Sequence, residues 1–296
     1  MLFAFNGGPG SSSLWIHAGL LGPRRVKLED ELHLSTVPPF ELEDNPHCMI
    51  DFCDIVVIDC IGTGFSRLLN DAKQEDFYDT DKDVSALALF IEQWLTRQGR
   101  RNSPVFLMGE SYGTGRAALL VGELLGAGPV SSEILGISVS GVMLLGSTFF
   151  KPIPAENSGV DLLAMAAAYQ YHKPEGKPER NIFIEDTWNF VKKEYVPILF
   201  EGDGASIEDK NRIAEKLEYF TGIKKNYWLK HRLRMDTYTY SQKMLEDDNL
   251  FVGFYDSRYT WSDDPCLMNS NVIADDPAMG QYTPAYPAGF YLIKEE

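Results

Sequence analysis

The apolar positions of this chain follow two rhythms. From Met1 to about Thr148, short continuous apolar runs alternate with longer stretches of helical period. Met1-Leu2-Phe3-Ala4-Phe5 reads as a strand from the first residue. Asp54-Ile55-Val56-Val57-Ile58-Asp59 is a β-branched run, which predicts a strand buried on both faces. Val105-Phe106-Leu107-Met108 and Val142-Met143-Leu144-Leu145 repeat the signal. Between them, Asp79 to Gln98 sets Val84, Leu87, Ile91 and Leu95 on one helical face, with Asp79 placed to cap its start. Arg116-Ala117-Ala118-Leu119-Leu120-Val121 is a second helical run. Ser11, Ser12 and Ser13 offer N-caps to a shorter helix through Leu14, Trp15 and Ala18. The stretch 26–46, with Pro38-Pro39, reads as strands and loops. Strand and helix alternating in this way predict a mostly parallel α/β sheet.

After Phe150 the pattern changes. Asp161 to Tyr171, Asp186 to Phe200 and Ser206 to Phe220 read as helices in a segment rich in tyrosine, tryptophan and charge. Leu250-Phe251-Val252-Gly253-Phe254-Tyr255 is its one strand candidate. The expected organisation is therefore an α/β core over 1–150 and a mainly helical insertion, or cap, over 151–296; a separate small helical domain is the alternative.

Charge narrows the partners. Across 296 residues the formal net charge is -16, which repels nucleic acid and anionic membrane. No stretch reaches the ~18 apolar residues of a membrane span. Cys48, Cys53, Cys60 and Cys266 form no Cys-x-x-Cys pair, so neither a zinc site nor another metal site is expected, and no cofactor motif occurs. The cysteines read as free thiols, and no Asn-x-Ser/Thr sequon is present; both favour a cytoplasmic setting over the secretory route.

The chemistry centres on Gly109-Glu110-Ser111-Tyr112-Gly113. In a chain with 25 glycines the bare G-x-S-x-G pattern is weak. Its context is strong: an apolar strand precedes it and a helical run follows, the setting of a nucleophile elbow. The sharp turn excludes side chains at both flanking positions and leaves the Ser111 hydroxyl exposed as a nucleophile. About a hundred residues earlier, Asn6-Gly7-Gly8-Pro9-Gly10 lies between a strand and a helix. Such a glycine loop can turn backbone N–H groups toward a ligand, as an oxyanion-hole loop does. Gly62-Thr63-Gly64-Phe65-Ser66 follows the strand that ends at Asp59, at the carboxyl edge where open α/β sheets bind ligands.

Asn-Gly-Gly-Pro-Gly-Ser-Ser-Ser at 6–13, Gly-Pro at 22–23, Asp59 through Ser66, and Gly-Glu-Ser-Tyr-Gly at 109–113 occur in one order and spacing. Together they resemble the serine carboxypeptidase family of α/β-hydrolase peptidases, over residues 1 to about 150. The resemblance implies an α/β-hydrolase fold, a peptide substrate, and hydrolysis of the C-terminal peptide bond through an acyl-enzyme on Ser111. It implies an oxyanion hole from the N–H groups of Gly8 and Tyr112. It implies that Asn6, Glu110 and the Gly7 N–H bind the substrate's terminal carboxylate.

Several positions depart from that pattern. Leu20 stands where many relatives carry a second glutamate, so a proton shared between two carboxylates is not available and an acid preference is not implied. Ser11 replaces a cysteine, and Cys60 a proline, which resembles the bacterial-type branch. The acid and base of this fold follow the serine, each after a later strand. His17, His33 and His47 precede Ser111, and neither His172 nor His231 follows a buried strand. The chain accordingly reads as a fragment, incomplete at both ends, whose catalytic Asp and His lie beyond Glu296. Two other readings stay open: a different α/β hydrolase, an esterase or acyltransferase, and an inactive product that keeps the fold as a scaffold.

Overall fold

Strand β1 (Leu2–Phe5) has all four residues buried. Successive side chains of a strand point to opposite faces of its sheet. Phe3 and Phe5 join a core with Val84, Leu87, Ile91, Leu95, Leu107 and Leu120, and Leu2 and Ala4 join another with Ile16, Leu21 and Met108. Burial on both faces goes with pairing on both edges. β4 (Ile55–Val57) lies along one side of β1 and β5 (Val105–Glu110) along the other, both parallel to it. β6 (Val139–Leu145) pairs parallel with β5, so the sheet runs β4-β1-β5-β6. The parallel α/β sheet expected from the sequence is present. A separate antiparallel hairpin joins β2 (Arg24–Val26) to β3 (Leu42–Asp44), within the stretch read as strands and loops.

This computed structural model describes residues 1–295 except 31, 36, 78, 127–134, 148–158 and 263–275. The chain divides into two compact units, Met1–Phe150 with Pro284–Glu296, and Lys151–Thr283.

In the first unit, helix α2 (Thr80–Arg97) buries the four apolar residues of the expected face, and the Asp79 side chain accepts from the N–H groups of Asp81 and Lys82. Helix α3 (Gly113–Leu125) follows the elbow, and its Ala117, Leu120 and Leu124 share the core with α2. Phe3 meets the edge of Trp94 at 5.7 Å between ring centroids. Two local expectations need correction. The 55–57 strand is only half-buried, because among the described residues it has a single neighbour, β1. The short helix α1 (Leu14–Ile16), which continues into a π-turn at His17–Leu21, takes no side-chain cap bond from Ser13. The Ser13 hydroxyl donates instead to the Ile58 carbonyl at 2.5 Å, while its oxygen accepts from the Asn6 N–H at 3.0 Å. For Ser13 a bond to a neighbouring strand has displaced the local cap, whereas the Ser12 hydroxyl oxygen accepts from the Leu14 N–H at 3.3 Å, as a cap would.

A final helix, Pro277–Glu295, contains Pro284 and Pro287, residues that argue against a helix interior. Aromatic packing offsets that cost within the first unit: Tyr286 lies against Trp15 at 5.0 Å, and Phe290 against His17 at 5.1 Å and Phe65 at 5.3 Å.

The second unit is mainly helical, with helices at Asp161–His172, Arg180–Phe190, Val196–Glu201, Ile207–Thr221, Lys225–Lys230 and Thr237–Lys243. Their core holds Phe183, Phe190, Leu217, Phe220 and Trp228. The helix expected over 186–200 starts six residues earlier and passes through a π-turn at Val191–Tyr195 just before Pro197. Pro197 has no N–H to continue the regular ladder, which accounts for the irregular turn there. β7 (Leu250–Val252) forms as expected, and it pairs antiparallel with β8 (Thr260–Ser262), which no apolar run announced. Among the described residues no helix is long and apolar enough to cross a membrane.

Cys48, Cys53 and Cys60 are free thiols, and Cys266 falls outside the described residues. Burial in the sheet core pushes the Cys60 thiol up to about 11, with Asp83 and Asp59 also raising it and Arg116 opposing. At pH 8 about one Cys60 in a thousand is then a thiolate, the form that reacts. Iodoacetamide should modify half-buried Cys48 and Cys53 in the native protein and Cys60 on the order of a hundredfold more slowly. Peptide mapping before and after denaturation checks this; equal native rates for all three would contradict it.

Candidate active site

Strand β5 must turn into α3 within two residues, and the backbone of Ser111 carries the turn at φ +54°. The left-handed region costs a non-glycine residue roughly 1–2 kcal/mol. The elbow is held from both sides: the Ser111 N–H donates to the Leu145 carbonyl at 2.8 Å, and its carbonyl accepts from the Thr114 N–H at 2.9 Å and hydroxyl at 2.6 Å. The Ser111 hydroxyl has no hydrogen-bond partner among the described residues. Both flanking glycines are sterically required. A Cβ on Gly109 would lie 2.0 Å from the Gly113 carbonyl oxygen, and one on Gly113 would lie 3.0 Å from the carbonyl oxygens of Phe5 and Asn6.

The glycine loop abuts this elbow because β1 and β5 are neighbours in register, with Phe5 opposite Gly109. A Cβ on Gly7 would lie 2.5 Å from the Tyr112 nitrogen and 2.6 Å from the Glu110 carbonyl oxygen. Gly8 and Gly10 take φ of +103° and +98°, a turn closed to other residues. Buried Asn6 is fixed in both directions. Its Nδ2 donates to Glu110 Oε2 at 2.9 Å, and its Oδ1 accepts from the Ile16 N–H at 3.2 Å. Burial raises the Glu110 carboxyl, against the opposing hydrogen bonds from Asn6 and the Gly7 N–H. Asn6, Gly7, Glu110, Ser111 and Tyr112 are thus assembled in one place, with Gly8 next in the same loop. Leu20 is exposed.

The roles of two groups of residues were not visible in the sequence. Asp59 sits at the centre of the first: its Oδ1 accepts from the Ser12 hydroxyl at 2.9 Å and the Ser13 N–H at 2.8 Å, and its Oδ2 accepts from the Phe65 N–H at 2.8 Å. It thereby ties the serines after the glycine loop to the 62–66 loop, and a Cβ on Gly64 would lie 2.1 Å from its carboxylate. The second is Arg116, buried in α3. Its Nε donates to Asp83 of α2, and one terminal nitrogen donates to the carbonyls of Asn6 at 2.7 Å and Gly7 at 3.5 Å. The guanidinium lies 4.8 Å from the centre of the Tyr112 ring. The available signal was an arginine opening an otherwise apolar helical run.

The histidines have their own surroundings. His33 Nδ1 lies 2.9 Å from Asp30 Oδ2, His172 Nε2 lies 2.6 Å from the Ser257 carbonyl, and His231 stacks on Tyr227 at 4.1 Å. Burial lowers the pKa of His17, with nearby Asp59 opposing. His47 is exposed. A pocket of about 530 Å³ beside β4 is lined by His17, Ile55, Val57, Asp59, Phe65 and Phe290 among others, and neither Ser111 nor Glu110 is part of its wall. Among the described residues no group of three or more His, Cys, Asp or Glu could hold a metal ion.

A family model described as serine carboxypeptidase matches residues 1–161. The structure of Kex1(delta)p, a prohormone-processing carboxypeptidase from Saccharomyces cerevisiae, is similar at 21% identity with a TM-score of 0.37. That similarity covers 74% of this chain and 44% of the yeast one, so the chain spans less than half the length of that relative. No curated protein matches.

Proposed function

This chain belongs to the serine carboxypeptidase family, and from that premise we propose that it serves a serine-type carboxypeptidase that removes C-terminal residues from peptides. Ser111 is the acyl-accepting nucleophile. The N–H groups of Gly8 and Tyr112 stabilise the oxyanion. Asn6, the Gly7 N–H and Glu110 bind the terminal carboxylate of the substrate. The observation that carries this reading is the Asn6–Glu110 hydrogen bond at 2.9 Å, one residue from the strained serine. It sets an amide donor and a carboxyl of raised pKa beside the nucleophile, an arrangement suited to a carboxylate and of no evident use to an ester lacking one. No histidine of this chain is assigned as the base.

Glu110 gives the reading a pH test. A neutral Glu110 can donate its proton to a substrate carboxylate, whereas an ionised one repels it. Burial raises the Glu110 pKa, so the neutral form persists to higher pH than in an exposed glutamate. KM for free-acid peptides should therefore be lowest below that raised pKa and climb as pH rises through it. KM for the matching C-terminal amides should not follow. Losing a hydrogen bond to a charged group costs about 1.5–3 kcal/mol, so the free acid should be preferred by roughly tenfold to a hundredfold at low pH. Glu110→Gln, which stays neutral at all pH values, should flatten the profile. Steady-state kinetics on an acid and amide pair decide it, and equal rates with parallel pH profiles would favour an esterase.

A further inference from the structure

The glycines of the loop cannot aim their N–H groups through side chains of their own. Gly7 and Gly8 have no side chains to anchor in a core, and glycine is the residue with most backbone freedom to lose. The loop is held by its carbonyls. The Gly7 carbonyl accepts from the Ser11 N–H at 3.3 Å, and the Asn6 carbonyl accepts from Arg116 at 2.7 Å, with Gly7 at 3.5 Å from the same nitrogen. In a trans peptide the C=O of one residue and the N–H of the next point in opposite directions. Holding the Asn6 carbonyl on the Arg116 side fixes the Gly7 N–H to face the other way, where Glu110 lies. Holding the Gly7 carbonyl does the same for the Gly8 N–H.

We propose that Arg116 is a positioning residue which, through the carbonyls of Asn6 and Gly7, aims the N–H groups of Gly7 and Gly8 at the substrate; its effect on rate rests on the carboxypeptidase reading. Arg116 suits this task through geometry as well as charge. The side chain is 3% exposed and directs Nε to Asp83 and a terminal nitrogen to the loop, two directions that a single lysine ammonium cannot cover in the same way. Its plane rests by the Tyr112 ring, and the Tyr112 hydroxyl lies 3.2 Å from the Thr80 hydroxyl. Arg116 thus touches both sources of the proposed oxyanion hole, the loop and the residue after the nucleophile. A buried ion pair is weak evidence for stability, since an apolar pair of similar volume often serves as well or better. What an apolar pair cannot supply is a donor to two loop carbonyls.

The test uses the protein as encoded, with Arg116→Lys, Arg116→Met and the double variant Asp83→Leu/Arg116→Met, which removes both charges and so leaves no unpaired one. Three quantities are measured: kcat and KM on a blocked dipeptide, thermal midpoint, and amide hydrogen exchange at Gly7 and Gly8. Misplacing a reacting group by about 1 Å can lower rate on the order of a hundredfold. Arg116→Met and the double variant should lose roughly tenfold to a hundredfold in kcat, with faster exchange at Gly7 and Gly8. Arg116→Lys should fall between them and wild type. In the double variant the thermal midpoint should return toward wild type while kcat does not. A double variant with kcat within about twofold of wild type, or with exchange at Gly7 and Gly8 unchanged, overturns the proposal. If wild type cleaves no peptide, the carboxypeptidase reading is what fails, and the exchange rates still decide whether Arg116 aims the loop.

Discussion

In a form of the protein that turns peptides over, replacing Ser111 with alanine should lower that turnover by about a millionfold and remove all labelling by a fluorophosphonate probe at that position. The argument rests on what the substitution leaves alone. The Ser111 hydroxyl bonds to no described residue, so its removal leaves no buried partner unsatisfied among them. The backbone bonds to Leu145 and Thr114 persist, and alanine tolerates φ +54° about as poorly as serine does. Ser111→Ala should therefore melt within a few degrees of wild type, which separates lost chemistry from lost folding. Ser111→Gly should be equally dead but more stable, by roughly 1 kcal/mol, because glycine relieves the left-handed strain. Mass-spectrometric mapping of the probe adduct gives the answer. A Ser111→Ala protein that is still labelled and still turns over would take this serine out of the mechanism.

The second large effect is steric. Gly109→Ala should destabilise the first unit by about 3 kcal/mol or more, at the upper end of overpacking effects. The new Cβ would lie 2.0 Å from a carbonyl oxygen of α3, and its obstacles are backbone atoms, which cannot rotate away as a side chain could. Relief requires moving α3 away from β5, and with it Ser111 and Arg116. Gly7→Ala meets backbone nitrogen and oxygen at 2.5–2.6 Å and should lose activity with it. Gly204→Ala is the control: nothing lies within 4 Å of its added carbon, so a change within about 0.5 kcal/mol is expected. Thermal or urea melts of the three variants compare them directly. If Gly109→Ala melts beside Gly204→Ala, the close approach of helix to strand is not the constraint described.

The parts legible in the sequence are those whose cause is local. The four-residue apolar register of α2 recurs within one helix, so Val84, Leu87, Ile91 and Leu95 announce their own face. The elbow is readable because its two glycines, the strand before and the helix after all lie within about twenty residues. Asp83 is the counterexample. On the helical wheel it is one more acid near an N-terminus, yet it is buried, because an arginine 33 residues away needs a partner there. Ser13 misleads in the same way: locally it is a cap, while in the structure it bridges Asn6 and Ile58. β8 could not be seen because Thr260–Ser262 has no apolar alternation of its own and exists by pairing with β7. The half-burial of 55–57 depends on which strands stand beside it, and a run of valines and isoleucines does not contain that information.

The neighbouring placement of β1 and β5 also sets when the site can exist. Asn6 and Glu110 are 104 residues apart, and Arg116 and Asn6 are 110 apart. Closing such a span takes roughly 2 kcal/mol more chain entropy than closing one of about 13 residues, and that cost precedes any reward from contact. At a synthesis rate of about 5–20 residues per second, β1 waits on the order of 5–20 s for the strand that covers its second edge. Throughout that interval Leu2, Phe3, Ala4 and Phe5, all buried in the finished fold, have nothing from β5 to pack against. Placing the oxyanion loop on one strand and the nucleophile on another, a hundred residues later, makes the active site a late event in the life of the chain. It also leaves a fully buried strand of the sheet without its β5 neighbour while the rest of the unit is still being made.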